Sequence, residues 1–306
     1  MLAIQHKVPL APFTTYKLGG NAEQFIKVTT NDELIAAVRY AQGKQIPYFI
    51  LGSGANILIS DDGFPGLVIK NEIRKFRIEH FGNVPVLRVS GGVTIDYVIL
   101  HTISHGYGGF EHFAGIPSTI GGALWQNLHF LSPDRKSTVY LGDSLVQSCV
   151  FNTLSNTEEV LNREQFKFGY DTSILHEGNR IVLDSLFQLV HEKDSAILQK
   201  RVDANLAWRN ERHPPYQTEF SCGSVFKKVG DVGAGRLIDQ CGLKGFAVDG
   251  AMISPKHANF IINTGSATAT SVRNLIAHTQ KVVFQETGHI LEPEVQFVGN
   301  FKPLDF

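Results

Sequence analysis

A chain of 306 residues with 43% hydrophobic side chains can fill more than one core, so two or three packed units are expected. Its 28 basic and 29 acidic residues give a formal charge of -1 with no long run of either sign, which excludes a dedicated nucleic-acid or polybasic membrane surface but leaves room for a small anionic ligand. Cys149, Cys222 and Cys241 lack Cys-x-x-Cys spacing and the histidines lack a His-Glu-x-x-His pattern, so neither a disulfide framework nor a bound metal is expected.

The first residues carry no signal-like apolar stretch and no apolar run reaches membrane-spanning length, so a cytoplasmic protein with no membrane partner is expected. Residues 25–28 read as a strand. Thr30-Asn31-Asp32-Glu33 has the form of a capping box, followed by Leu34, Ala37, Val38 and Ala41 at helical spacing and by Gly43 as the stop. Strands at 48–51 and 57–59 flank Gly52-Ser53-Gly54-Ala55-Asn56, and Asp61-Asp62-Gly63 turns into a strand at 67–69. A second set begins near Val86. Thr94 can cap a helix carrying Ile95, Val98, Ile99 and Thr102, with Gly106 beyond its end, and strands follow near 148–153 and 181–189. Residues 194–212 read as a helix with Leu198, Val202 and Leu206 four apart, ended by His213-Pro214-Pro215, where the chain is expected to change domain. The last hundred residues hold two helices, one with Ala234, Leu237, Ile238, Cys241 and Gly242 as its cap, the other with Val272, Leu275, Ile276 and Thr279. "HANFIIN" and "PEVQFVG" read as strands. The fold class is α+β.

Gly52-Ser53-Gly54 is not a Rossmann or P-loop run, because it opens the apolar strand-like residues 57–59 rather than a helix, and no third glycine or Gly-Lys-[Ser/Thr] follows. Two readings remain: a tight turn without ligand, or a nest of backbone N–H groups that a pyrophosphate can approach closely. A second bare segment, Gly115-Ile116-Pro117-Ser118-Thr119-Ile120-Gly121-Gly122-Ala123, favours the long two-phosphate ligand.

Seven segments in one order carry a resemblance: "PLAPFTTYKLGGNAEQF", "LGSGANILISDDGFPGLVI", "FAGIPSTIGGA", "SCGSVFKK", "AGRLIDQCGLKG", "ISPKHANFIIN" and "LEPEVQFVG". Together they resemble the UDP-N-acetylenolpyruvoylglucosamine reductases over nearly the whole chain, and the shorter, type II members in particular. The resemblance implies an FAD-binding fold of the vanillyl-alcohol oxidase type. Two N-terminal subdomains, 1–75 and 76–195, would grip non-covalent FAD, and a C-terminal domain, 196–306, would bind substrate. It implies NADPH as co-substrate, a nucleotide-sugar enolpyruvyl ether as acceptor, no nucleic-acid partner and a monomer. The glycine segments (Gly52, Ser53, Gly54, Ala55, Asn56; Gly115, Ile116, Pro117, Ser118, Thr119, Gly121, Gly122) would hold the cofactor.

By the same resemblance, Ser224 is the proton donor and Glu294 the acid that meets the developing negative charge; Glu292, two residues away, is the lesser candidate. Arg212, Lys227, Asn259 and Tyr170 would bind substrate. Without the resemblance Ser224 is an ordinary turn hydroxyl, Lys227 a surface charge and Asn259 a local backbone partner. Cys222 reads as packing. Two departures stand out. Asp171 occupies the place of an arginine in the family's Phe-x-Tyr-Arg-x-Ser segment, and "WQNLHFLSPDRKSTVYLGDSL" replaces a run of small residues after the second glycine segment. Arg135, within that altered stretch, is a candidate substitute cation. Two other readings stay open: a related flavoprotein oxidoreductase with another substrate, and a non-catalytic flavin- or nucleotide-binding protein.

Overall fold

The computed structural model describes residues 2–132, 134–215 and 217–302. The first region holds β1 (Gln5–Pro9), β2 (Asn21–Val28), α1 (Asn31–Lys44), β3 (Tyr48–Leu51), β4 (Ile57–Ile59) and β5 (Phe64–Asn71). Four of the strands form a sheet in the order β1-β2-β5-β3, with β2 and β3 both parallel to β5 and β1 antiparallel to β2. The stripe Leu34, Ala37, Val38 and Ala41 buries against Ile26, Val28, Leu67 and Ile69. Thr30 caps α1 by accepting from the Glu33 N–H at 3.2 Å, but the Glu33 carboxylate accepts from the Thr29 N–H at 2.7 Å, one residue before the expected box partner. Gly43 is not the stop. The helix runs through it to Lys44, and Gln45 takes the left-handed conformation at φ 55° while its N–H meets the Ala41 and Gln42 carbonyls.

The second region contains β6 (Phe76–Phe81), β7 (Val84–Ser90), α2 (Ile95–Ser104), β8 (Tyr107–Gly108), α3 (Ile120–Gln126), β9 (His129–Leu131), β10 (Thr138–Tyr140), β11 (Leu145–Asn152), β12 (Thr157–Asn162), β13 (Arg180–Gln188) and β14 (Val190–His191). Its antiparallel sheet has the order β12-β11-β13-β7-β6. Thr94 caps α2 as expected, accepting from the Tyr97 N–H at 3.3 Å. Next comes α4 (Ser195–Arg212), capped by Asp194. Its Leu198 and Val202 join the core of Phe110, Phe113 and Phe187, while Leu206 stays exposed. We therefore place the break between the second and third regions after α4, at the prolines, rather than at 195.

The third region has α5 (Ala234–Gln240), β15 (Ala247–Val248), β16 (Ala251–Ile253), β17 (Ile261–Asn263), α6 (Ala269–Thr287) and β18 (Gln296–Val298). The small sheet β15-β16-β17 packs with α5 and α6 around Val225, Phe226, Leu237, Ile238, Val272, Leu275 and Ile276, and Tyr16, Leu18 and Leu58 of the first region enter the same core. Two further ties bind these regions. β18 pairs in parallel with β4, Gln296 opposite Ile57, and the Asp61 carboxylate accepts from the Ala269 and Thr270 N–H groups at 2.8 Å each, capping α6. Because β4 and β18 are parallel and in register, the glycine loop that precedes β4 and Glu294, which precedes β18, lie at the same end of the molecule.

Candidate active site

The two glycine segments meet. A Cβ built on Gly52 would stand 2.6 Å from Thr119 Oγ1, and one on Gly54 (φ +66°) only 2.2 Å from the Phe13 carbonyl oxygen, so any larger residue would push the loop apart. Lys70 Nζ donates to the Gly52 carbonyl at 2.6 Å and Thr15 N–H to that of Gly54 at 3.0 Å, which turns the carbonyls inward to the protein. The N–H groups of Ser53, Gly54, Ala55 and Asn56 donate to no acceptor among the described residues. Backbone donors in a half-buried loop require a partner, and an anion held by these four N–H groups fits that requirement. Asn56 does not contribute its side chain as expected. Its Nδ2 donates to Gln126 Oε1 at 3.3 Å and to the Glu294 carbonyl at 3.4 Å.

In the second segment the amides of Gly121 and Gly122 are already engaged, with the Gly91 carbonyl at 2.8 Å and Thr119 Oγ1 at 3.3 Å. Their contribution is the close approach that a missing side chain permits. Ile116 N–H is likewise used by the Phe113 carbonyl, Pro117 has no N–H, and Gly115 adopts φ +78° against Arg209 and Leu206. Ser118 and Thr119 start α3, which spans roughly 10 Å from the glycine loop to Gln126.

Ser224 lies on an extended segment between two others. It bridges Phe260 on one side, and on the other the Glu294 N–H donates to the Val225 carbonyl at 2.7 Å. Glu294 is thus tied by a main-chain hydrogen bond to Val225, the residue that follows Ser224. Glu294 Oε1 accepts from Gln126 Nε2 at 3.2 Å. Burial first, then the nearby charge of Asp171, push its carboxyl up to about 8, with Lys227 opposing. The side chain of Asn259, expected to touch substrate, is committed to the main chain. Its Nδ2 donates to the Phe226 carbonyl at 2.8 Å and its Oδ1 accepts from the Phe226 N–H at 3.0 Å, so this buried amide clamps the strand that carries Ser224. Cys222 is buried and its thiol is pushed up to about 12 by burial, in keeping with packing.

Lys227 sits close enough to Glu294 to oppose its shift but pairs with Glu292 at 2.6 Å. Arg212 ends α4, stacked over Trp208 at 4.8 Å and paired with Glu211. Beside it the half-buried His213 is pushed down to about 3 by burial, then by Arg209, His257, Lys256 and Arg212, a concentration of positive charge. The His213 ring meets Phe260, the bridge partner of Ser224, at 5.1 Å, so this cationic cluster adjoins the Ser224 strand.

Asp171 points inward. It is 2% exposed, with φ +53°. Tyr170 before it stays at the open side, its ring 5.0 Å from His129 and beneath Lys228 Nζ at 4.7 Å; burial, then the charges of Asp171 and Glu294, hold its hydroxyl well above the ordinary range. Arg135 cannot answer Asp171. Its guanidinium lies over Phe130 and Trp208, whereas Asp171 faces His129, and successive strand residues point to opposite faces. Gln126 and His129 are site residues that periodicity could not reveal; the only sequence signal was their place in the altered stretch.

Comparison with known proteins defines the class first. Residues 22–139 match the model of the FAD binding domain, and residues 214–298 match that of the UDP-N-acetylenolpyruvoylglucosamine reductase, C-terminal domain. The chain is an FAD-binding oxidoreductase. It is 36% identical to the UDP-N-acetylenolpyruvoylglucosamine reductase of Synechocystis sp. over 97% of this chain and 92% of that one, and 36% identical to that of Listeria innocua over 98% and 97%. The crystal structure of the reductase from Thermus caldophilus aligns with a TM-score of 0.80 at 29% identity, covering 97% of this chain and all of the other. The chain belongs to the UDP-N-acetylenolpyruvoylglucosamine reductase family. Among the described residues no helix is long and apolar enough to cross a membrane.

Proposed function

We propose that the protein reduces UDP-N-acetylglucosamine enolpyruvate to UDP-N-acetylmuramate with NADPH as reductant, a step in peptidoglycan precursor synthesis. The observation that carries this reading is the convergence, at one end of the β4–β18 pair, of unpartnered loop N–H groups with Ser224 and a carboxyl pushed up to about 8. FAD, when bound, relays hydride between the two substrates. The N–H groups of residues 53–56 would hold its pyrophosphate, and Gly52 and Gly121 let the two segments pack closely against Thr119 and Gly91.

In the net reaction, a hydride from NADPH ends on the vinyl methylene carbon and a proton on the carbon beside the carboxylate; NADPH becomes NADP+ and the enolpyruvyl ether becomes a lactyl ether. Ser224 gives that proton, being held in place by Phe260 and by the Asn259 clamp on Phe226. Glu294, neutral below about pH 8, donates its O–H to the carboxylate oxygen on which negative charge accumulates. Arg212 and its cationic neighbours take the diphosphate, and Tyr170 and Lys227 line the open side.

The test is anaerobic reduction by NADPH followed by addition of the enolpyruvyl nucleotide. Bleaching of the flavin and its prompt return support the assignment; bleaching without return points instead to a related reductase with another acceptor, which the inward negative charge of Asp171 favours. Flavin that NADPH cannot bleach ends both readings.

A further inference from the structure

Asp171 and His129 form an acid–base pair that the reading above does not use. Both carboxylate oxygens of Asp171 are buried without a hydrogen-bond donor, and so is His129 Nδ1. They face each other at 3.6 Å, Nδ1 to Oδ1. A buried carboxylate with no donor is costly unless a positive partner forms beside it. The arrangement is held rigidly. Asn127, left-handed at the end of α3, donates through Nδ2 to the Gly169 carbonyl at 2.9 Å and accepts from the Gly142 N–H at 3.2 Å, while Ser173 Oγ donates to the Trp125 carbonyl at 2.9 Å. Residues 169–173 are thereby pinned to the end of α3, just before His129 opens β9. Nδ1 is buried against Asp171 while 23% of the side chain stays exposed, and the ring lies 5.3 Å from that of Tyr140 and 5.0 Å from that of Tyr170.

We propose that His129 and Asp171 together receive the acceptor's carboxylate: as that anion binds, His129 takes up a proton, turns Nδ1–H to Asp171 and presents its other N–H to the ligand. This rests on the substrate assigned above.

The charges around the ring give the sign. Burial holds His129 below its ordinary value, opposed by Asp171 and the Asn127 carbonyl and aided by Lys228. Tyr140 and Tyr170 flank the ring, and Asp171 also faces Glu294 and His176. The imidazole is therefore neutral in the free protein at pH 7. A second anion beside it adds to the Asp171 contribution and draws a proton in.

The experiment is calorimetric titration of the FAD-loaded protein with UDP-N-acetylmuramate at pH 7 in two buffers of different ionisation enthalpy. The expected result is uptake of about half a proton or more per ligand, and none with UDP-N-acetylglucosamine, which lacks the carboxylate. His129→Gln abolishes the uptake and weakens binding of the carboxylate nucleotide about tenfold or more. Asp171→Asn also reduces the uptake, and Glu294→Gln retains it because that carboxyl is already protonated. Wild-type binding without proton uptake, uptake that survives His129→Gln, or uptake lost in Glu294→Gln overturns the assignment to His129 while leaving the substrate reading intact. Failure of UDP-N-acetylmuramate to bind the loaded protein overturns the substrate reading and this proposal with it.

Discussion

At Gly54 a single added methyl group would land 2.2 Å from a main-chain carbonyl, whereas nearby the ionisable side chains of Glu294, Asp171, His129 and Tyr170 crowd into one cluster around the buried Asp171. One half of the site recognises an anion with bare backbone; the other uses side chains whose protonation is set by burial and by each other. The first is intolerant of volume and indifferent to pH. The second tolerates isosteric change in shape but responds to every change of charge.

Ser224→Ala should break the second half most deeply. Turnover is expected to fall by about 10²–10⁴ with flavin content and bleaching by NADPH unchanged, as stopped-flow absorbance would show; loss of the flavin instead would place Ser224 in the cofactor half. Gly54→Val should do the reverse. Its left-handed backbone and the clash with Phe13 add strain of about 1–3 kcal/mol, which would cut FAD affinity about 5- to 150-fold, read as a loss of flavin colour in the purified protein.

Glu294 distinguishes the halves by pH. Its carboxyl loses its proton through about 8, so acceptor-dependent turnover should fall about tenfold per unit above that value, and Glu294→Gln should flatten the limb. Stability follows the same group. Only the folded protein keeps this proton between the ordinary carboxylate range and about pH 8, so the Glu294 contribution is fully present below that window and is lost as pH rises through it. Denaturation at pH 5 and pH 8.5 (about the ends of that window) should show a smaller difference in the Gln variant.

Asn259→Ala leaves the Phe226 N–H and carbonyl without their partner and should cost about 1–3 kcal/mol by urea unfolding, with FAD retained. The smallest effect is expected at Arg135. Stacked over Phe130 and Trp208 on the far face of β9, it should change turnover by less than about twofold on replacement by Ala; a large loss of turnover with flavin intact would return the missing-cation role to it.

Much of the framework is legible along the chain. The strands at 48–51 and 57–59, the caps Thr30 and Thr94 and the buried face of α6 follow from short-range pattern, since each depends on neighbours within a turn or on alternation. The exceptions have local causes as well. Gly43 is passed over because a helix interior accepts glycine at modest cost and Gln45 can adopt the left-handed turn. Leu206 continues the apolar spacing of α4 but finds no core to cover it.

The site divides differently. The sequence by itself determined the bare loops, the membership of the family and the residues that align with its serine and glutamate, because those are properties of residue type and order. Only the tertiary structure decided that Asn56 meets Gln126 and the Glu294 carbonyl, that Asn259 serves the backbone, that Gln126 reaches Glu294, that Arg135 faces away and that Asp171 meets His129. Direction and burial arise from contacts between segments distant in the chain, and it is burial that fixes which of these groups carry charge.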